Sequence, residues 1–139
     1  MPRGLARPPM GFVAARRMLE LIVLEPRWSR WEALRRGFAA RGLRCMAVQN
    51  AAELAVTLDA FSAGTVVIGP HGTAAEHSPV VDRLRDLPRT RVLVVSDAAD
   101  PRRIAAYLRL GPGVRVVDPI ALESASTLAR IAGLGRDQD

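Results

Sequence analysis

The chain contains no lysine; all twenty of its basic residues are arginine. That excludes a phosphate-loop lysine, a Schiff-base lysine and a lysine general base. There is a single cysteine, Cys45, so an internal disulfide and a multi-cysteine metal site are excluded as well. A lone thiol in an apolar stretch reads as buried, in a reducing cytoplasm. Aromatic residues make up only 4 %, which is thin for surfaces that stack bases. No apolar run approaches the length of a membrane span. Neither Gly-x-Ser-x-Gly nor His-Glu-x-x-His occurs. The expectation is therefore a protein that is not an enzyme, with no catalytic residue, no metal set and no cofactor.

What is present suits one domain. The 139 residues are 49 % apolar, enough for a single core. The formal net charge is +6, and part of it is local. Residues 1–17 carry Arg3, Arg7, Arg16 and Arg17 with no acid, along with three prolines and two glycines. They read as a basic leader without regular structure, with Met10 or Met18 as alternative starts, or as an arm for an acidic partner or nucleic acid. Residues 18–132 read as the folded domain and 133–139 as a polar tail. The Arg- and Ala-rich composition suggests GC-rich bacterial coding.

The organising stretch is Thr65-Val-Val-Ile-Gly-Pro-His-Gly72. A continuous β-branched run bounded by turn residues reads as a strand buried on both faces. Such strands lie in the middle of parallel sheets, and the working loop lies beyond their carboxyl ends. Here that loop runs from Gly69 to His77. It has no acid before Glu76.

Around it the pattern alternates. Leu19–Leu24 reads as a strand, followed by a helix from Trp28 to Arg41 with Trp31, Leu34 and Phe38 on one face. Both Trp28 and Trp31 read as core anchors. Arg44–Val48 is a second strand. Asn50 and Glu53 form a capping box for a helix with Leu54, Leu58 and Phe61 inward, ended by Gly64. Ser78-Pro79 reads as the N-terminus of a third helix, with Val80, Val81, Leu84 and Leu87 inward. Arg91–Val95 is a strand. Asp100-Pro101 caps a helix that turns Ile104, Tyr107 and Leu108 to the sheet. Val114–Val117 is the fifth strand, and the last helix spans about Leu122–Ile131. Five strands alternating with five helices predict a parallel α/β sheet with helices on both faces.

Val92-Leu-Val-Val-Ser96, Ile104-Ala-Ala-Tyr-Leu-Arg-Leu-Gly111 and Val114-Arg-Val-Val-Asp-Pro119-Ile-Ala-Leu-Glu123 resemble the second half of response-regulator receiver domains. The resemblance implies a flavodoxin-like, doubly wound three-layer fold with strand order 2-1-3-4-5. It also implies a phosphorylation pocket: two acids after the first strand for Mg²⁺, an acceptor aspartate after the third, a hydroxyl after the fourth and a lysine after the fifth. In this chain those positions fall on Glu25 and Pro26, on Gly69, on Ser96 and on Asp118. The aromatic switch position falls on Arg115. Only Glu25 and Ser96 keep suitable chemistry. Glycine cannot accept a phosphoryl group, and Asp118 puts negative charge where phosphate would sit. The chain is therefore expected to be a pseudo-receiver, a two-component-type module not switched by phosphorylation.

Three uses follow. One is docking of a protein partner, or of a second copy as a homodimer, through the fourth helix, fifth strand and fifth helix. The candidate interface residues are Arg102, Arg103, Tyr107, Arg109, Arg115, Glu123 and Arg130. Another is ligand sensing by the degenerate cleft, with His71 at its edge. The last is nucleic-acid binding aided by the arginine arm. No membrane partner is expected.

Overall fold

The computed structural model of the chain describes residues 17–96 and 100–134. The leader up to Arg16, Asp97–Ala99 and the last five residues lie outside that set. Five strands form one parallel sheet: β1 (Arg17–Leu24), β2 (Cys45–Val48), β3 (Phe61–Ile68), β4 (Arg91–Val95) and β5 (Val114–Val117). The order across the sheet is β2-β1-β3-β4-β5. This is the flavodoxin-like order, as expected. The helices are α1 (Trp28–Ala40), α2 (Ala51–Ala60), α3 (Ala74–Arg85), α4 (Pro101–Leu108) and α5 (Ala125–Ile131).

The two-residue period of a strand explains the layers. Ile22, Leu24, Val66, Ile68, Val92 and Val94 point to one face and pack under α2, α3 and α4. Their neighbours Leu21, Val23, Val67, Leu93 and Val95 point to the other, under α1 and α5. A run with no polar alternation can only be satisfied by cover on both sides. That is why β1 ends in four residues with no exposure at all.

Several element boundaries differ from the sequence expectation. The second helix stops at Ala60, and Phe61 opens β3. Gly64 lies inside that strand rather than ending the helix. Arg17 is already in β1, opposite Phe61. The third helix begins at Ala74, not at Ser78-Pro79. Thr73 caps it, and Glu76 completes a reciprocal capping box with the Thr73 backbone. Those two bonds satisfy orphan donors that a start at Pro79 would leave open. Pro79 is carried inside the helix. The last helix is also shorter. Pro119–Glu123 form a 3-10 turn, and Ser124 caps α5. Trp31 is buried as expected, but Trp28 is 67 % exposed. It is the first residue of α1, before the buried stripe is established. Leu108 is likewise exposed, while Ile104 and Tyr107 pack inward. Cys45 is half-buried on the edge strand β2, where burial pushes its thiol pKa up.

Gly37 shows how tightly α1 meets α5. A Cβ placed there would lie 2.4 Å from the Cβ of Ala125. Gly37→Ala should gain about 1 kcal/mol of helix propensity but force the helices apart at a cost of about 1–3 kcal/mol. The expected outcome is a net loss of stability in urea unfolding. Gly113→Ala, whose Cβ would meet nothing closer than 3.8 Å, should stay within about 0.5 kcal/mol of the parent.

Candidate functional site

The carboxyl end of the sheet is where the chain order reverses between β1 and β3. Leu24 pairs with Ile68, so the residues that follow, Glu25 and Gly69, leave the sheet side by side. Val95 pairs with Val117, and the Ser96 amide donates to the Val117 carbonyl at 2.9 Å. Glu25, Gly69, Ser96 and Asp118 thus follow four of the strands along one edge of the sheet. Their chemistry is not that of a phosphate pocket.

Glu25 is only 2 % exposed. Its Oε2 accepts from the Arg27 amide at 2.9 Å. The Arg30 guanidinium lies 3.7 Å from Oε1, which makes no hydrogen bond. Pro26 is exposed and offers no ligand. Asp118 is exposed too, and its Oδ1 accepts from the Ile120 amide at 2.9 Å. It caps the 3-10 turn instead of facing a ligand. No group of three or more His, Cys, Asp or Glu side chains comes together among the described residues. The Mg²⁺ that a receiver fold implies has one carboxylate here, already held by an arginine and a backbone amide. The residues do not fit the ion.

Gly69 is closed as well as unreactive. A Cβ there would sit 2.4 Å from the Leu24 carbonyl oxygen and 3.4 Å from the His71 ring. Real Cβ atoms do not approach backbone oxygen that closely. The strand edge itself fills the space an acceptor side chain would need.

The loop after β3 is held from the other side by α4. His77, which sequence reasoning left in the loop, is the fourth residue of α3 and has no exposure. Its position one turn before Val80, Val81 and Leu84 was a legible signal of burial. Its Nε2 lies 2.6 Å from the His71 carbonyl oxygen, and its Nδ1 lies 2.5 Å from the Tyr107 hydroxyl. A carbonyl only accepts, so Nε2 carries the proton and Nδ1 accepts from Tyr107. The two rings meet edge to face at 5.5 Å. Gly72, at φ +92°, brings its backbone against the His77 ring, where a Cβ would lie 2.9 Å from Nε2. Arg103 donates to the Gly72 carbonyl at 2.8 Å. Asp100 sits at the N-cap of α4, yet its carboxylate accepts from the Ala74 amide of α3 at 2.9 Å.

Arg103 and Tyr107 therefore correct the interface expectation. They are 1 % and 0 % exposed and tie α4 to the loop, because the inner stripe of α4 has to meet α3 as well as the sheet. Arg102, Arg109, Arg115, Glu123 and Arg130 are exposed. His71 is half-buried, and burial lowers its pKa ahead of the opposing pull of Glu25. Of the cleft residues named from sequence, only His71 lines the pocket of about 490 Å³ between α2 and α3. Gln49, Asn50, Ala51, Ala52, Gly72 and Glu76 form the rest of its wall.

No family model matches the chain, and no curated protein matches it. Among solved structures it is similar to a response regulator from Thermotoga maritima, at 16 % identity and a TM-score of 0.53, covering 85 % of this chain and 98 % of that one. It is also similar to a pilus assembly-related protein from Burkholderia pseudomallei, at 26 % identity and a TM-score of 0.52, covering 88 % of this chain and 95 % of that one. With the strand order, these likenesses define the class as receiver-like folds.

Burial lowers the His77 pKa, the largest influence, and Arg103 adds to it; the His71 carbonyl, Glu76 and Asp100 oppose. A histidine held below its ordinary value stabilises the fold above about pH 6.5, and that stability is lost as pH falls, because the unfolded chain takes the proton first. Urea midpoints should therefore drop between about pH 7.5 and pH 5, and His77→Gln should flatten part of that slope. Tyr107→Phe leaves Nδ1 without its donor and should cost about 1–3 kcal/mol at neutral pH.

Proposed function

We propose that the protein is a phosphorylation-independent, receiver-like regulatory module. It acts by protein–protein contact through α4, β5 and α5, in the cytoplasm, and carries out no chemistry of its own. The observation that carries this reading is the closed Gly69 position, where the Leu24 carbonyl occupies the place of an acceptor side chain. The single carboxylate of Glu25 and the capping role of Asp118 support it. So does the hold of α4 on the loop, through side chains that need no phosphate. In this reading α4 is held in one position instead of being moved by a phosphoryl signal.

The contact surface is the β5 edge of the sheet. Of the exposed large apolar side chains, Leu108, Val116 and Ile120 all fall there, at 47, 41 and 66 % exposure. A partner can be a different protein or a second copy. The likeness to a pilus assembly-related protein favours a role in organising an assembly over a switch that controls transcription. A second reading, ligand sensing, is favoured by the pocket beside His71. It predicts a thermal shift with at least one metal, nucleotide or metabolite, and a blank screen counts against it. Nucleic-acid binding would rest on the arginine arm, which lies outside the described residues.

Incubation with Mg²⁺ and acetyl phosphate, followed by intact-mass measurement, tests the first reading. No phosphoryl group should be added to the parent. None should be added to Gly69→Asp combined with Asp118→Lys either, provided its circular dichroism shows it folded. A phosphoryl group held by the parent chain sinks the proposal.

A further inference from the structure

The charges on the β5 edge say what kind of partner fits. Elsewhere four arginines are matched by acids at 2.8–3.0 Å, Arg35 with Glu32, Arg44 with Glu20, Arg83 with Asp59 and Arg85 with Asp82, while others such as the exposed Arg36 and Arg89 make no ion pair among the described residues. Arg102, Arg109, Arg115 and Arg130 are exposed, and none of them makes an ion pair among the described residues. Arg109 follows the exposed Leu108 in the chain and Arg115 precedes the exposed Val116, the other two arginines lying on α4 and α5. The acids on this edge are Asp118, which is engaged with the Ile120 amide, and Glu123.

We infer that this edge binds an acidic, amphipathic segment of another protein and does not bind a second copy of the chain. The inference rests on the reading of α4, β5 and α5 as the contact surface. A two-fold dimer sets the same patch against itself. Here that would set a surface with four exposed arginines and two acids, Asp118 and Glu123, against itself, and like charges facing across an interface cost several kcal/mol. An acidic partner removes the repulsion and gains steering. The apolar side chains among the arginines distinguish a protein segment from nucleic acid. A phosphate backbone would meet the guanidinium groups but leave Leu108, Val116 and Ile120 in water, and the aromatic residue of α4, Tyr107, is buried out of reach of bases.

The test uses the full chain, isotope-labelled for amide NMR, with three synthetic amphipathic helical peptides of equal length and the same apolar stripe. One is glutamate-rich, one serine-rich and one lysine-rich. A single-stranded RNA is the fourth probe. The glutamate-rich peptide should shift amides of α4, β5 and α5. Its affinity should fall as salt rises from about 50 to about 300 mM. Arg102→Glu with Arg109→Glu should weaken it by about tenfold or more, equivalent to about 1.4 kcal/mol. These arginines bear no contacts that fold the protein, and unchanged urea unfolding confirms that the variant is intact. Sedimentation should show a monomer without peptide. Serine- or lysine-rich peptides binding the same amides equally well overturn the acidic partner but keep the contact surface. RNA binding there as tightly as the acidic peptide, or a dimer that buries this edge, also overturns it. Silence from every probe on this edge, with the chain monomeric, removes the contact-surface reading as well.

Discussion

Two-sided burial of β1 and β3 is the constraint from which the rest of the architecture follows. Both strands end in four residues that point alternately into two cores. Neither half of each strand can be left facing water, so α2, α3 and α4 must cover one side and α1 and α5 the other. Parallel neighbours then require crossovers, and crossovers deliver every loop of interest to the same edge. The fold makes the usual place for a site. What the site contains depends on the side chains at that edge.

At that edge, the structure has protein contacts at the positions where a receiver keeps its phosphate groups. Glu25 is engaged by Arg30 and a backbone amide, and Gly69 by the carbonyl of Leu24. Asp118 caps its own turn. On the next layer, His77, Tyr107, Arg103 and Asp100 fasten the β3–α3 loop to α4. A phosphorylated switch works by having two arrangements of similar free energy that a charge can tip. Here the same elements are joined by buried and part-buried hydrogen bonds, and buried partners are costly to leave unpaired. Under the proposed function, those bonds hold a fixed presenting surface.

Much of the fold was legible because the strand signal was strong. Apolar-rich runs ending in turn residues located every strand, and the alternation with helices set the sheet type. The missed helix start at Ala74 came from reading Ser78-Pro79 as the signal, when Thr73 and Glu76 spelled a capping box upstream. The split last helix was not legible, because Pro119-Ile-Ala-Leu-Glu carries a helical pattern and only the Ser124 cap shows where the helix begins. The residue types at the positions of a receiver's phosphate pocket were readable from the sequence alone. Its steric closure was not, since no sequence pattern reports how near a carbonyl oxygen comes to an α-carbon. Arg103 was misplaced for a related reason; Tyr107, read both as sheet-facing and as an interface residue, is sheet-facing. An arginine on an amphipathic helix reads as surface, and only packing against a second helix shows that it points inward.

The strand order also sets a timetable. β1 is finished at Leu24, yet its β3 partner, ending at Ile68, is made only after two helices and the edge strand β2. As the chain emerges in order, β1 has one short neighbour and an uncovered flank until β3 arrives. Long-range parallel pairing of this kind is slow to close, and an unpaired apolar strand can join other chains in the meantime. The arginine that begins β1 places charge at the start of that strand, and the Glu20–Arg44 pair lies on its β2 side. The apolar run Leu21–Leu24 thus waits for β3 with charge only at the start of its strand and on its β2 side.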